Sequence, residues 1–191
     1  MLNLRSDTDD AWLQVVDDHL DEILIDHAHC ERKAAMAAMT LLTAYVENES
    51  LCLEMTTIVQ EELEHFHMVR RLLDERGIVF RRQRQSSYGS RLHALVRRDD
   101  PQRAVDRLLV ASLIEARSCE RFSRLADHVQ DEPLAAFYRG LFESEARHHT
   151  TYVRLAKDFA PDAEVELRLA ELAVAEAEII ANGDGLARMH S

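Results

Sequence analysis

The sequence predicts an all-α protein, and three observations support that prediction. Ala, Leu, Glu and Arg dominate the 191 residues, and these residue types lose little side-chain freedom in a helix. The chain contains only five Gly and three Pro, so long segments run without a helix breaker. Apolar residues recur in those segments at the helical spacing of three and four residues. No segment approaches 18 uncharged apolar residues, so no transmembrane helix is expected.

Five long helices follow from the apolar spacing and from the residues that begin and end helices. Ser50 and Asp100 are predicted N-caps, and Pro101 is predicted at the first position of its helix. Residues 78–100 form the longest connection and are expected to include a short helix around Leu92–Val96. The five long helices are expected at about 10–46, 51–76, 101–129, 131–158 and 161–181.

Two helical hairpins joined by one long crossover have the connectivity of a ferritin-like four-helix bundle. A single ferritin-like domain is therefore expected over residues 1–191, with the bundle at about 10–158. The helix at about 161–181 is amphipathic and is expected to pack on the outside of the bundle. The tail at about 185–191 is expected to be disordered.

The cysteines and the N-terminus indicate a cytoplasmic protein. Cys30, Cys52 and Cys119 are odd in number and far apart, which is typical of reduced thiols rather than of a disulfide framework. The missing C-x-x-C pair argues against a rubredoxin-type or plant-type iron–sulfur site. The first ten residues lack the apolar core of a secretory signal, so neither export nor membrane attachment is predicted.

The net charge of −12 hides one strongly basic segment. Between Arg70 and Arg98 the chain carries nine arginines against Asp74 and Glu75, which makes the segment +7 and the remainder −19. A local basic surface binds a polyanion even on an acidic protein, because counterion release depends on the contact patch. An ordinary solvated connection with Arg-rich helix ends is the alternative interpretation.

Polar residues occupy inward positions on four of the predicted helices, where a simple bundle would carry leucine. Residues three or four apart share one helical face, so each Glu-x-x-His pair points at one place in the core. The two inward glutamates of each hairpin are 31 and 30 residues apart, as expected for a duplicated hairpin. The six residues are Glu31, then Glu62 with His65, then Glu115, then Glu145 with His148.

This pattern predicts a metal centre. A buried carboxylate is costly unless it is paired or bound to a metal, and four clustered carboxylates repel one another. Two divalent cations supply the compensating charge, and a mixture of imidazole and carboxylate suits iron or manganese better than calcium or magnesium. One Glu from each of two helices and Glu-x-x-His from each of the others is the ligand set of di-iron and di-manganese bundles.

Several nearby acids and histidines compete with these six for the role of ligand. Glu64 and His67 form another Glu-x-x-His pair, but it lies off the apolar seam and is predicted to face solvent. His27, one turn before Glu31, is predicted to be a core histidine that supports a ligand rather than a seventh ligand. Three further residues are excluded because they also lie off the seam: Glu120, Glu143 and His149.

Four strings of the sequence, at residues 24–35, 61–66, 109–122 and 144–148, carry a resemblance to a known family. The third contains Ile-Glu-Ala-Arg-Ser-Cys-Glu-Arg-Phe, which is considerably more specific than Glu-x-x-His. The chain resembles the tRNA-(2-methylthio-N6-isopentenyladenosine) hydroxylases of the MiaE type over roughly residues 10–158. The resemblance implies that the matching glutamates and histidines bind two iron ions.

The resemblance also implies a reaction, the O2-dependent hydroxylation of the isopentenyl side chain on the modified adenosine next to the anticodon of tRNA. The allylic methyl group offers no acidic proton, so acid–base residues alone do not functionalise it, whereas iron with O2 does. Each turnover needs two electrons. The sequence has no Gly-rich dinucleotide fingerprint, so a separate ferredoxin or reductase is the expected donor.

On this interpretation the basic segment is the candidate surface for the anticodon stem-loop. Phosphates attract arginine, and unpaired loop bases stack on aromatic or guanidinium planes. Tyr88 or an arginine is the expected stacking group. The candidate tRNA contacts are Arg81, Arg82, Arg84, Tyr88 and Arg91.

Three other functions agree with parts of the pattern. A ferritin-like oxidase or ferroxidase for iron storage or peroxide detoxification would use the same ligands. A manganese catalase or a rubrerythrin-like peroxidase would also do so, although the missing rubredoxin cysteines disfavour the latter. A helical adaptor with solvated seam charges would bind no metal. The predicted bundle is compatible with a monomer.

Overall fold

The computed structural model describes residues 2–191, in which every regular element is a helix. The all-α class is therefore confirmed, and the five long helices lie within a few residues of their predicted bounds. No helix in this described range has both the length and the hydropathy needed to cross a bilayer. The helices are α1 (Asp10–Ala44), α2 (Glu49–Glu75), α3 (Tyr88–His93), α4 (Gln102–His128), α5 (Glu132–Ala156) and α6 (Asp162–Ala181).

The helix starts differ from the prediction in two places. The N-cap of α2 is Asn48 rather than Ser50, and the Asn48 side chain accepts a hydrogen bond from a first-turn amide at 2.9 Å. Pro101 precedes α4 as its N-cap residue, without a side-chain hydrogen bond, so Asp100 is not the cap. Asp131 is the N-cap of α5, and its side chain accepts a hydrogen bond from a first-turn amide at 3.1 Å.

The chain divides into two compact units. The first-hairpin unit comprises Gln14–Gln85 and Leu186–Met189, and it contains most of α1 and all of α2. The second-hairpin unit comprises the N-terminal residues up to Leu13, Ser86–Gly185 and His190–Ser191. The single domain expected over residues 1–191 stays a prediction.

In the first-hairpin unit, a turn at residues 45–48 reverses the chain between α1 and α2. The apolar seam of α2 is buried, as its spacing predicts, through Met55, Ile58 and Val69. The helix α1 is interrupted at His19, where φ is −140° and ψ is 36°, so the predicted helix at about 10–46 is two helical stretches. Residues 78–85 continue from α2 as an irregular segment.

In the second-hairpin unit, α4 packs along α5, and α3 and α6 both pack against α4. Leu169, Leu172 and Ile179 of α6 are buried, which agrees with the amphipathic helix that the sequence predicts. The short helix α3 lies four residues before its predicted start at Leu92. It begins at Tyr88, because both Tyr88 and Leu92 are buried and are one helical turn apart.

The tail is ordered where the sequence predicts disorder at about 185–191. In the first-hairpin unit, Met189 donates its backbone N–H to Asp26 at 2.9 Å and Arg188 donates to the carbonyl of Arg84 at 2.8 Å. In the second-hairpin unit, the His190 ring stacks on Tyr88 at 5.0 Å between centroids. Partners more than a hundred residues away in sequence order this tail, and local composition carries no sign of them.

Asp106 on α4 is a buried carboxylate that gathers two arginines of the second-hairpin unit. It accepts hydrogen bonds from the Arg97 backbone and guanidinium at 2.8–2.9 Å and from Arg168 Nε at 2.9 Å. Burial raises the pKa of Asp106, but the hydrogen bonds from Arg97 and Arg168 outweigh burial and hold it below its usual value. The carboxylate therefore ties the segment before α4 to α6.

We expect Asp106→Asn to lower the free energy of unfolding by about 2–3 kcal/mol at neutral pH, because two half-buried guanidinium groups lose the buried carboxylate that they share. Because the pKa of Asp106 is lower in the folded state, its ionisation stabilises the folded protein above about pH 4, the pKa of an unfolded-state Asp. This stabilisation is lost as the pH falls through the lower pKa of the folded state. Urea unfolding between pH 7 and pH 3 measures the difference. The difference in unfolding free energy between the wild type and Asp106→Asn should shrink below about pH 4. The control Asp127→Asn, at an exposed site on α4, should change the unfolding free energy little.

Candidate metal centre

The first-hairpin unit brings together three of the predicted ligands, Glu31 on α1 and Glu62 with His65 on α2. They are 4%, 0% and 8% exposed. His65 Nδ1 lies 3.6 Å from a carboxylate oxygen of Glu31 and 4.0 Å from one of Glu62. One possible ligand atom from each lies within 4.8 Å of the others, which is the spacing of groups that share a metal ion.

His27 supports Glu31 from one turn earlier on α1. It is fully buried, and its Nε2 lies 2.6 Å from a Glu31 carboxylate oxygen. Burial raises the pKa of Glu31, but the hydrogen bond and charge of His27 outweigh burial and hold this pKa well below its usual value. The predicted supporting role of His27 agrees with this geometry, and Glu31 is held as a carboxylate, the form that binds metal.

The second-hairpin unit assembles a matching set from Glu115 on α4 and Glu145 with His148 on α5. These residues are 4%, 1% and 1% exposed. His148 Nδ1 lies 3.9 Å from a Glu145 carboxylate oxygen. One possible ligand atom from each of the three again lies within 4.8 Å of the others. The repeated spacing in the sequence thus corresponds to two similar arrangements of side chains.

Two other buried groups lie beside this second set. His149 is 2% exposed, but its Nδ1 lies 2.8 Å from the Ser112 hydroxyl, so this residue joins α5 to α4 rather than facing the ligands. Cys119, one turn after Glu115, is fully buried. Burial, with the nearby charges of Glu145 and Glu115, raises the pKa of Cys119 to about 12. Its thiol therefore stays protonated in the metal-free protein.

Four other competing acids and histidines lie at exposed or half-buried positions. Glu64 and His67 are exposed on α2, so the second Glu-x-x-His pair faces solvent. Glu143 is exposed on α5. Glu120 accepts hydrogen bonds from the Thr8 backbone at 3.0 Å and from Arg117 at 3.2 Å, within the second-hairpin unit.

Each set offers two carboxylates and one imidazole in a dry environment, and this mixture fits iron. Imidazole and carboxylate together suit iron or manganese, and burial of uncompensated carboxylates is costly without a cation. The structure is therefore compatible with iron binding at buried Glu and His side chains.

The predicted tRNA contacts fall into two groups. Arg81, Arg82 and Arg84 are exposed on the irregular segment after α2, where Arg81 also forms an ion pair with Glu22. They lie in the first-hairpin unit, together with Glu31, Glu62 and His65.

Tyr88 and Arg91 have packing roles in the second-hairpin unit instead. Tyr88 is 5% exposed, and its hydroxyl donates to Glu176 at 3.1 Å, so its ring is not presented to a base. Arg91 donates to the carbonyl of Ile179 at 3.2 Å and that of Asn182 at 2.8 Å, at the C-terminal end of α6. Both residues therefore have partners within the protein.

A buried ionic network in the second-hairpin unit was missed by the sequence interpretation. Arg117 is fully buried and binds both carboxylate oxygens of Glu176 at 2.9 Å each, which joins α4 to α6. Arg121, one turn later, is 1% exposed, and its guanidinium lies 4.4 Å from the Trp12 ring centroid. The signal in the sequence was the spacing of the two arginines, four apart on one helical face.

Comparisons with known proteins agree with this architecture. The sequence model of the family described as tRNA-(MS[2]IO[6]A)-hydroxylase (MiaE) matches residues 2–191. The tRNA 2-(methylsulfanyl)-N(6)-isopentenyladenosine(37) hydroxylase of Pseudomonas putida is 40% identical over 184 residues, covering 96% of this chain and 89% of that protein. The Salmonella typhimurium protein of the same name is 30% identical over 237 residues, covering 98% and 87%.

A solved structure shares the fold over almost the whole chain. It is Protein 43 with aldehyde deformylating oxygenase activity from Synechococcus, with a TM-score of 0.95, 39% sequence identity, and coverage of 98% of this chain and 95% of that chain. This match confirms the predicted ferritin-like all-α fold. The family match across residues 2–191 and the two curated relatives lead to one assignment: the chain belongs to the MiaE family of tRNA hydroxylases.

Proposed function

We propose that this chain is an O2-dependent di-iron monooxygenase of tRNA. Its substrate would be (2-methylthio-)N6-isopentenyladenosine next to the anticodon, hydroxylated on the isopentenyl side chain. Family membership and the printed names of the two relatives support the substrate. The observation that carries the proposal is the pair of buried Glu, Glu and His sets, one in each unit.

The two sets together would hold two iron ions. Glu31, Glu62 and His65 would contribute from the first-hairpin unit, and their counterparts Glu115, Glu145 and His148 from the second. Bound iron with O2 supplies the oxidising power that an unactivated C–H bond requires. The two carboxylates of each set would balance the charge of one ferrous ion, so an iron-loaded set would add no net charge to the protein interior.

The protein's own residues would prepare and protect this site. His27 holds one oxygen of Glu31 at 2.6 Å, which fixes the orientation of that carboxylate. The Ser112–His149 contact joins α4 to α5 one turn from both Glu115 and Glu145. Exposures of 0–8% at all six predicted ligands keep water away from the reacting groups.

Hydroxylation consumes two electrons that the chain's own residues do not supply. No C-x-x-C pair and no Gly-rich dinucleotide fingerprint occurs in the sequence. A separate ferredoxin or reductase would deliver the electrons in the cytoplasm, where tRNA is modified. O2 and this external donor are therefore co-substrates in the proposed reaction.

The experiment that tests this function is nucleoside mass analysis of tRNA from cells with and without the protein. We expect a gain of one oxygen on the isopentenyl adenosine in cells that carry it. Glu115→Ala should abolish the gain, because it removes a predicted ligand. An unchanged nucleoside profile, or a gain that persists in Glu115→Ala, would contradict the proposal, and a gain of Fe(II) oxidation alone would favour a ferroxidase.

Exposed arginines on the irregular segment should contribute to RNA affinity through phosphates. We expect Arg81→Gln, Arg82→Gln and Arg84→Gln together to weaken tRNA binding and to reduce the slope of log K against log salt by about 2–3. Fluorescence anisotropy at several salt concentrations measures both quantities. Three ion-paired arginines of the other unit provide a control triple substitution of equal charge: the exposed Arg103 and Arg139 and the half-buried Arg124. An unchanged slope in the first triple variant would contradict the assignment.

A further inference from the structure

Four residues of the first-hairpin unit form a cluster of ring and guanidinium planes, here called the stacking surface: His29, Phe66, Arg70 and Phe80. Phe80 lies at its centre. The His29 ring centroid is 4.6 Å from that of Phe80, the Phe66 centroid is 5.8 Å away, and the Arg70 guanidinium carbon lies 4.6 Å from the Phe80 centroid. Three elements contribute, namely α1, α2 and the irregular segment after α2.

The stacking surface is not closed over by the protein. All four of its residues are partly exposed, whereas Phe122 and Tyr138, which also form a ring pair, are 1% and 0% exposed. Aromatic side chains bury 150–250 Å² when they pack in a core. If the cluster only attached the irregular segment to the helices, full burial of its rings would stabilise the protein more. Its partial exposure therefore indicates a further role.

Its position links it to both halves of the proposed function. Phe66 follows His65 directly, and His29 lies two residues before Glu31, so the stacking surface begins on the helical turns that carry predicted ligands. Phe80 is followed at once by the exposed Arg81 and Arg82.

The irregular segment is also held in place. The carbonyl of Arg81 accepts a hydrogen bond from His29 Nε2 at 2.9 Å. The Gln83 side-chain amide donates to the Glu22 carbonyl at 3.0 Å and to its carboxylate at 2.7 Å. The exposed arginines beside Phe80 therefore project from a backbone anchored along α1, which lowers the entropic cost of ordering them on a ligand.

We infer that the stacking surface binds unpaired bases of an RNA loop, with Phe80 and Phe66 as the stacking rings and the neighbouring arginines on the phosphates. This inference rests on the proposed function and adds the residues that would recognise the single-stranded loop. Sequence-specific and loop-specific RNA binding uses splayed bases stacked on aromatic or guanidinium planes. The rings replace Tyr88, which the sequence suggested and the structure buries.

Binding of the iron-loaded Phe66→Leu/Phe80→Leu protein to an anticodon stem-loop tests the inference. Leucine keeps apolar volume and removes the ring face. We expect the Kd for the stem-loop to rise about tenfold or more, with an unchanged Kd for the same stem closed into a continuous duplex. The salt slope should stay unchanged, because no phosphate contact is removed.

Two controls separate stacking from folding. Phe142→Leu makes the same substitution at a partly exposed ring of the other unit and should leave the stem-loop Kd unchanged. Phe80→Trp keeps an aromatic face and, in the background of Phe66→Leu, should restore most of the affinity. A Kd that Phe80→Trp does not restore, or an equal loss of duplex binding, would show a structural role and overturn the inference.

Further outcomes would also overturn it. An unchanged stem-loop Kd in the double leucine variant would exclude stacking, and slower electron delivery by a ferredoxin at unchanged RNA affinity would identify a protein-docking surface instead. Both outcomes leave the proposed hydroxylation intact, because wild-type protein would still add oxygen to tRNA. Failure of the wild type to add oxygen would instead refute the proposed function.

Discussion

Glu62→Gln is expected to lower the hydroxylation rate by about 100-fold or more and, at the same time, to stabilise the metal-free protein. The rate falls because a ligand contributes at least as much as the groups that support ligands, whose loss costs 10–100-fold. The stability rises by about 1–2 kcal/mol, because one buried carboxylate is removed from beside Glu31. Turnover and thermal unfolding of the metal-free protein measure these two effects, and iron analysis shows whether the variant still binds iron.

Glu64→Gln provides a matched control on the same helix. Glu64 belongs to the competing Glu-x-x-His pair and is exposed, whereas Glu62 is 0% exposed. We expect the control variant to keep its iron, its turnover and its metal-free stability. If Glu64→Gln lost iron while Glu62→Gln retained it, the assignment of ligands on α2 would be wrong.

Arg117→Met is expected to lower the free energy of unfolding by about 3–5 kcal/mol, because it leaves the Glu176 carboxylate buried without its cation. Arg117 and Glu176 are both 0% exposed and are joined by two hydrogen bonds of 2.9 Å. For a chain of this length the loss corresponds to a fall in Tm of roughly 6–20 °C. Chemical and thermal unfolding measure it directly.

A double variant separates the ion pair from simple loss of packing. Arg117→Met with Glu176→Leu removes both charges and fills similar volume, so it should recover most of the lost stability. Arg103→Met removes an exposed arginine of the same unit and should change stability by no more than about 0.5 kcal/mol. A double variant as unstable as Arg117→Met alone would show that the cost lies in packing rather than in the unpaired charge.

Much of the fold and the burial of all six predicted ligands followed from local periodicity. Glu62 and His65 share a face with Met55, Ile58 and Val69, and that face is buried. The same reasoning placed Glu64 and His67 on the exposed face. Helical spacing depends only on residues that are close in the sequence, so the buried face of a helix can be predicted without knowledge of tertiary contacts. It places a side chain on a face but does not identify the metal, which stays a proposal.

The sequence-based predictions of exposure were wrong where a side chain binds a partner that is distant in the sequence. Tyr88 lies in an Arg- and Ser-rich segment that resembles a solvated loop, yet its hydroxyl binds Glu176, 88 residues away in sequence. Arg117 finds the same carboxylate across 59 residues. Each of these side chains has an ordinary exposed alternative, so composition predicts exposure. Only the packing of α3, α4 and α6 brings their partners together.

The prediction of Ser50 as the N-cap of α2 was wrong for a different, local reason. Asn48 and Ser50 are both good capping residues and are two positions apart, so residue type alone does not separate them. Asn48 is chosen because its side chain reaches the Leu51 amide at 2.9 Å, while its own backbone N–H donates to Tyr45. The turn between α1 and α2 therefore decides the start of the helix.

The most direct test of the central claim is the source of the oxygen atom added to the substrate. Iron-loaded protein, a reductase system and an anticodon stem-loop carrying N6-isopentenyladenosine would react under 18O2, and the nucleoside would be analysed by mass spectrometry. A di-iron monooxygenase predicts one 18O atom in the isopentenyl side chain and none in the Glu62→Gln product. Oxygen derived from water, or an unmodified side chain with wild-type protein fully loaded with iron, would contradict the account.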